Sequence, residues 1–247
     1  MNIIPLSEGA FTIDSTKQFV PFDSQSDDLQ QRPKGSLLVE IQPFLVVTKK
    51  DIILLDAGLG YTRDGVLQIH TLLAEHGYAA DDVTKVLLSH LHRDHAGGIS
   101  MRDQLSGIWR SAFPHAHHYV HRSELHFANS GQSASYEIEP LQVLHNTELV
   151  TLLDDAGVID GYIHHQLTAG HSPFHQVFWI KEEDETVFFG GDEAPQLQQM
   201  KTKFIAKYDY NGKRAMEWRQ QWWVEAQEKK WTILFYHDIA TPMVRPF

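Results

Sequence analysis

The chain has 247 residues, 42% hydrophobic and 21% charged, which suits a folded core and excludes disordered or fibrous classes. Asp and Glu number 32 against 21 Lys and Arg, and the resulting formal charge of -11 repels phosphate backbones and anionic bilayers. Cys is absent, which excludes disulfides, thiolate nucleophiles and iron–sulfur clusters, whereas 16 His beside abundant carboxylate suit a metal site of N and O ligands.

The N-terminus lacks a basic start followed by a long apolar run, so no signal peptide is expected. No stretch approaches the roughly 18 apolar residues of a membrane helix, and a cytoplasmic protein is the expectation. The first 34 residues are mixed and turn polar at FDSQSDDLQQRPKG, which reads as a loop leading into the first strand. SLLVEIQPFLVVTKKDIILLDAGLG then gives two β-rich runs separated by the polar turn Thr48–Asp51, a hairpin-like signal. A helix is predicted around residues 64–77, where Val66, Ile69, Leu72, Leu73 and His76 share helical spacing and Gly77 marks a stop. Strands are predicted at 85–90, 115–121, 144–153, 163–168, 175–182, 186–192 and 231–238, with an irregular or helical insertion over 123–143. KRAMEWRQQWWVEAQEKK reads as a helix whose apolar stripe is Ala215, Trp218, Trp222 and Ala226. Strands with few intervening helices suggest two sheets with helices outside.

The segment SHLHRDHAGG carries the chemistry, as His90-x-His92-x-Asp94-His95. His90 ends the strand at 85–90, so His90 and His92 can project to one side of extended backbone. Gly97 and Gly98 permit the turn that brings Asp94 and His95 to the same space. Three imidazoles and a carboxylate within six residues are costly to desolvate unless a cation organises them. A solvated histidine-rich loop is the alternative, and this composition makes the pattern rare by chance.

This segment resembles the signature of the metallo-β-lactamase-fold hydrolases, and other blocks follow in that superfamily's order. LLDAG supplies Asp56, TAGHSPFH supplies His171, FFGGD supplies Asp192 and FYHD supplies His237, so the resemblance covers about residues 36–240. It implies an α+β fold: a four-layer αββα sandwich of two mixed β-sheets with helices outside, here one domain over residues 1–247. It implies two divalent metals, one held by His90, His92 and His171 and the other by Asp94, His95 and His237, with Asp192 bridging. Zn suits such His-rich, Asp-bridged sites, and Fe or Mn also fit. By the same resemblance Asp56 orients a ligand imidazole, although it also fits a turn-forming Asp before Ala57-Gly58. His175 is read as structural.

The implied reaction is hydrolysis of a carboxylic ester bond by a hydroxide shared between the metals, with Asp94 and Asp192 as the catalytic carboxylates. Glu193, Tyr208 and Tyr210 are candidates for substrate contact or proton donation. The Asp at 192 argues against antibiotic lactamases, and His92 is unlike the diiron oxygen-reducing branch. A glyoxalase-II-like thioesterase shares the ligand set but usually appends a helical domain, whereas only nine residues follow Asp238. N-acyl-homoserine lactonases match in length and ligand set, yet typically carry a Tyr where this chain has Pro195. A lactone-like ester is therefore the expected substrate, ahead of a thioester or a phosphodiester. A mononuclear-iron sulfur dioxygenase and a non-catalytic metal-binding module are the readings from other classes. A small-molecule partner is expected, with no nucleic acid or membrane, and a homodimer is compatible. HAHHYVH is read mainly as a strand rather than a second metal tract, and Trp218, Trp222 and Trp223 as helix–sheet packing.

Overall fold

A computed structural model describes all of residues 1–247. Twelve strands build two six-stranded sheets, and within each the spatial order follows the sequence. The first contains β1 (Asn2–Pro5), β2 (Phe44–Val47), β3 (Ile52–Leu55), β4 (Lys85–Leu87), β5 (His117–His121) and β6 (Val150–Leu153). The second contains β7 (Ala156–Ile159), β8 (Ile163–Leu167), β9 (Gln176–Glu182), β10 (Glu185–Phe189), β11 (Trp231–Leu234) and β12 (Met243–Val244). Both sheets are mixed: β3 to β6 run parallel beside an antiparallel β1–β2–β3 ribbon, and β10 and β11 are the parallel pair of the second. The helices are α1 (Gln68–Glu75), α2 (Arg93–Ala96), α3 (Arg122–Asn129), α4 (Leu197–Lys201) and α5 (Gly212–Glu228).

The period of two in each strand sorts its side chains between layers. On the first sheet, Leu45, Leu54 and Val86 turn outward onto Ile69 and Leu73 of α1. Their neighbours Phe44, Ile53, Leu55 and Leu87 turn inward onto Phe178, Ile180, Val187 and Phe189 of the second sheet. Val177 and Phe188 turn outward again, onto Trp222 and Ala226 of α5. The result is helix, sheet, sheet, helix, the four-layer αββα arrangement expected. Trp218 stacks on Trp222 with ring centroids 5.4 Å apart, so these indoles serve helix–sheet packing. No helix is long and apolar enough to cross a membrane.

Several elements differ from their predicted bounds. The first 34 residues hold three strands: β1, Gly9–Ile13 and Phe19–Pro21, and Gly9–Ile13 lies between Phe19–Pro21 and Leu37–Ile41 in a small third sheet. Their apolar residues are interrupted by polar ones, and long-range pairing supplies what local pattern lacks. Residues 37–47 form two strands, parted at Gln42-Pro43, where Pro cannot donate to a ladder. The helix predicted around 64–77 begins at Gln68, because Thr62–Arg63 and Val66–Leu67 pair as a small hairpin. Strand β6 begins at Val150, since Leu144 and His145 close a 3₁₀ turn.

Direction of the strands matters most for function. The C-terminal ends of β3, β4, β5 and β6 open on one edge of the first sheet. The pairing pattern brings the ends of β8, β10 and β11 to one edge of the second.

Candidate metal centre

Asp56 and the seven expected metal ligands all follow strand ends on these edges. Asp56 follows β3, and His90 stands three residues beyond β4. His92 is the N-cap of α2, extended at ψ 152°, and Asp94 and His95 lie in the helix. His171 follows β8, Asp192 sits in a 3₁₀ turn after β10, and His237 stands three residues beyond β11. The turn through Gly97 and Gly98 packs directly on the loop after β3. Ala57 donates its N–H to the His95 carbonyl at 2.7 Å, and a Cβ at Gly98 would overlap the Ala57 carbonyl.

The donor atoms gather in two groups, His90, His92, His171 and Asp192 in one and Asp94, His95 and His237 in the other, each within 4.8 Å, and Asp56, His90 and His95 form a third, overlapping set. Asp192 faces both. Its Oδ2 lies 3.1 Å from His171 Nε2, while Oδ1 lies 3.1 Å from His95 Nε2 and 2.9 Å from His237 Nε2. Asp94 Oδ2 is 3.5 Å from His237 Nε2 and 3.7 Å from His95 Nε2. His171 Nε2 and His92 Nδ1 are 3.2 Å apart.

The other ring nitrogens are engaged away from this centre. His95 Nδ1 meets Asp56 Oδ2 at 2.7 Å, His171 Nδ1 meets Asp209 Oδ1 at 3.0 Å, and His237 Nδ1 meets the Glu40 carbonyl at 2.7 Å. Each contact takes Nδ1–H as the donor and so turns Nε2 inward as the ring nitrogen that can bind a cation. Asp56 is itself fixed, by the Ser89 N–H and hydroxyl, both at 2.7 Å.

Charge in the cluster divides unequally. Burial, joined by positive charge on neighbouring imidazoles, holds His90 and His92 well below the ordinary imidazole range, so both are neutral. Burial also opposes protonation of His95, His171 and His237, but there the Asp192 carboxylate outweighs it and lifts all three. Asp192 pays burial against itself too, yet these imidazoles hold its carboxyl well below the usual range.

A cation fits this donor set. His90 Nε2 is buried without a hydrogen-bond partner, a costly state for a neutral imidazole that faces the other donors. Donors at 2.0–2.1 Å in a tetrahedron are separated by about 3.3 Å, and the separations here run from 2.9 to 3.7 Å. Imidazole and carboxylate without thiolate are the donor types of Zn, Fe and Mn sites.

Three further candidates resolve differently. Glu193 is not free to meet a substrate: its two oxygens accept the N–H groups of Gly170 and His171, both at 2.7 Å. Tyr210 engages through its peptide, donating to the His171 carbonyl at 2.9 Å, while its phenol is 68% exposed. Tyr208 does lie beside the centre, its ring centroid 6.1 Å from that of His171. His175 is buried, and its Nε2 accepts the Asp192 N–H at 3.2 Å. In HAHHYVH, His117 meets Thr151 Oγ1 at 2.7 Å and His121 Nδ1 accepts the Ser123 N–H that opens α3. None of these three joins a metal-sized cluster.

Sequence reasoning missed Glu124. Its buried carboxylate accepts the Leu91 N–H at 2.9 Å and the Tyr136 hydroxyl at 3.0 Å, fixing the peptide between His90 and His92. Burial pushes its carboxyl up to about 7. Lying 33 residues from Leu91 in a polar helix, it has no spacing signal.

The sequence model of the Metallo-beta-lactamase superfamily matches residues 40–237. An N-acyl homoserine lactonase of Bacillus cereus is 24% identical over 248 residues, spanning 90% of this chain and 92% of its own. Among solved structures, a probable metal-dependent hydrolase from Staphylococcus aureus superposes with a TM-score of 0.79 at 21% identity, covering 99% of this chain and 91% of that one. A dizinc quorum-quenching lactonase in complex with its product superposes with a TM-score of 0.68 at 19% identity, covering 98% and 88%.

Proposed function

The chain belongs to the metallo-beta-lactamase superfamily, and from that premise we propose that it is a hydrolase using two divalent cations to open a carboxylic ester bond, a lactone before a thioester. The observation that carries the two-cation reading is Asp192, whose two oxygens address separate imidazole groups at 2.9–3.1 Å. On this reading His90, His92 and His171 hold one cation, Asp94, His95 and His237 the other, and Asp192 joins them. Zn suits the donor set, with Fe or Mn as alternatives. Two such cations supply Lewis acidity, which acidifies water and polarises a carbonyl oxygen.

The chain's own residues provide the rest. Neutral His90 and His92 offer lone pairs without first losing a proton. Asp56, Asp209 and the Glu40 carbonyl hold three rings in one tautomer, so ligand geometry is set before substrate arrives. On this reading Asp94, 9% exposed, carries a proton toward the departing oxygen. Tyr208 borders the same space, and Pro195, at the usual lactonase Tyr position, accepts the His237 N–H at 3.0 Å through its carbonyl. The lactone preference draws support from the lactonase names among the relatives, and the acidic surface favours small substrates of low charge. A cytoplasmic location is part of this reading.

The test is metal analysis with a matched panel of lactone, thioester and phosphodiester substrates. About two ions per chain with lactone turnover leading is expected. Phosphodiester turnover a hundredfold higher, roughly 2.7 kcal/mol in the barrier, overturns the substrate assignment. One iron with oxygen consumption would instead establish the sulfur dioxygenase.

A further inference from the structure

We propose that Asp209 is a positioning residue for His171 and thereby sets the metal affinity of one half of the centre. The inference rests on the two-cation reading above. Asp209 lies 38 residues from His171 in sequence, yet its Oδ1 reaches Nδ1 at 3.0 Å and its side chain is 1% exposed. The relation matches that of Asp56 to His95, at 2.7 Å on the opposite half. In both, a buried carboxylate accepts Nδ1–H and leaves Nε2 aimed at Asp192. Such a partner raises the basicity of the imidazole and fixes its plane.

The surroundings are built to hold Asp209 there. Tyr210 and Asn211 donate their N–H groups to the carbonyls of His171 and Gly170, at 2.9 and 2.7 Å, tying the two segments backbone to backbone. Glu193 holds the same stretch from the other side. Arg219 is fully buried, and its guanidinium donates to the carbonyls of Glu193 at 3.0 Å and Phe204 at 2.7 Å. A buried cation beside two buried carboxylates offsets charge that would otherwise be costly. Contacts from the Asp209–Asn211 segment reach Gly170 and His171, and those of Arg219 reach Glu193 and Phe204, but none reaches Asp94, His95 or His237, so the effect of Asp209 should be one-sided.

The experiment titrates Zn²⁺ into metal-free wild type, Asp209→Ala and Asp209→Asn against a chromophoric chelator, with ¹⁵N NMR of the His171 ring. Asp209→Ala should weaken one of the two ions about 10–100-fold and leave the other within about threefold. Asp209→Asn keeps an acceptor oxygen and should recover part of that loss. Its His171 Nδ1–H resonance should still shift, because the acceptor has lost its charge. Equal weakening of both ions, or none, overturns the inference. If Asp209→Ala does not fold, Asp209→Asn decides: an unmoved Nδ1 resonance refutes the pairing. A wild type that saturates at one ion removes the two-cation reading instead, and the Nδ1 shift then still settles the role of Asp209.

Discussion

Replacing Asp192 by Asn keeps the size of the side chain and removes the charge that faces both imidazole groups. In the wild type that carboxylate lies 3.1, 3.1 and 2.9 Å from the Nε2 atoms of His171, His95 and His237, with only 8% of the residue exposed. On the two-cation reading, its removal leaves the ions less neutralised in a desolvated site. Breaking a buried charge pair costs about 3–5 kcal/mol, which corresponds to roughly two to three and a half orders of magnitude in affinity. The weaker ion should then be lost on dialysis, so occupancy falls from about two to about one or below. Hydrolysis should fall by at least a hundredfold. The fold should persist, because inner-core residues such as Phe178 and Phe189 hold the sheets together independently of the site. Elemental analysis after dialysis, kcat/KM on a lactone and circular dichroism read the three effects. An Asp192→Asn protein with two ions and turnover within tenfold of wild type would refute the bridging assignment.

Two further substitutions probe the frame. Gly98→Ala drives a Cβ into the Ala57 carbonyl, which cannot yield without moving Asp56. A loss of about 1–3 kcal/mol is expected in denaturant unfolding, with weaker metal binding; stability within 0.5 kcal/mol of wild type, roughly the noise of a surface change, counts against the tight approach. Asp51 is half-buried, yet Lys85 at 2.5 Å, the Tyr162 hydroxyl and Thr84 outweigh that burial and hold its carboxyl below the usual range. A depressed carboxyl stabilises the fold above its unfolded pKa of about 3.9, and the contribution fades as pH falls through the lower folded value. Asp51→Asn should therefore lower Tm at pH 7 and converge on wild type in strong acid; an equal gap at both ends contradicts this.

What the sequence made legible was chemistry carried by local spacing. His90, His92, Asp94 and His95 fall within six residues, and His171, Asp192 and His237 each follow an apolar run that reads as a strand. The layers were legible as well, because alternation along Ile53, Leu54 and Leu55 or Val187, Phe188 and Phe189 has a period that local sequence records. The three N-terminal strands were not, since their stability comes from partners such as Leu37–Ile41 rather than from their own pattern. Glu193 illustrates a different limit. Its position beside Asp192 suggested a reacting group, but burial turned both its oxygens onto backbone donors. Glu124 is the opposite case, a polar residue in a polar segment that only tertiary contact brings beside Leu91.

The placement of the donors has a consequence for stability. His90, His92, Asp94 and His95 all hang from β4 of the first sheet, whereas His171, Asp192 and His237 hang from β8, β10 and β11 of the second. On the proposed ligand set each cation therefore takes donors from both sheets, and binding cross-links the sandwich at its open edge. An ion that binds only the folded chain stabilises it by RT ln(1 + [L]/Kd), about 4 kcal/mol at a thousandfold excess over Kd. The inner core resists separation of the sheets elsewhere, through Phe44, Phe178 and Phe189, but the active edge is lined by imidazoles and carboxylates that gain little from burial. Metal binding thus stabilises the sandwich where its apolar core is thinnest.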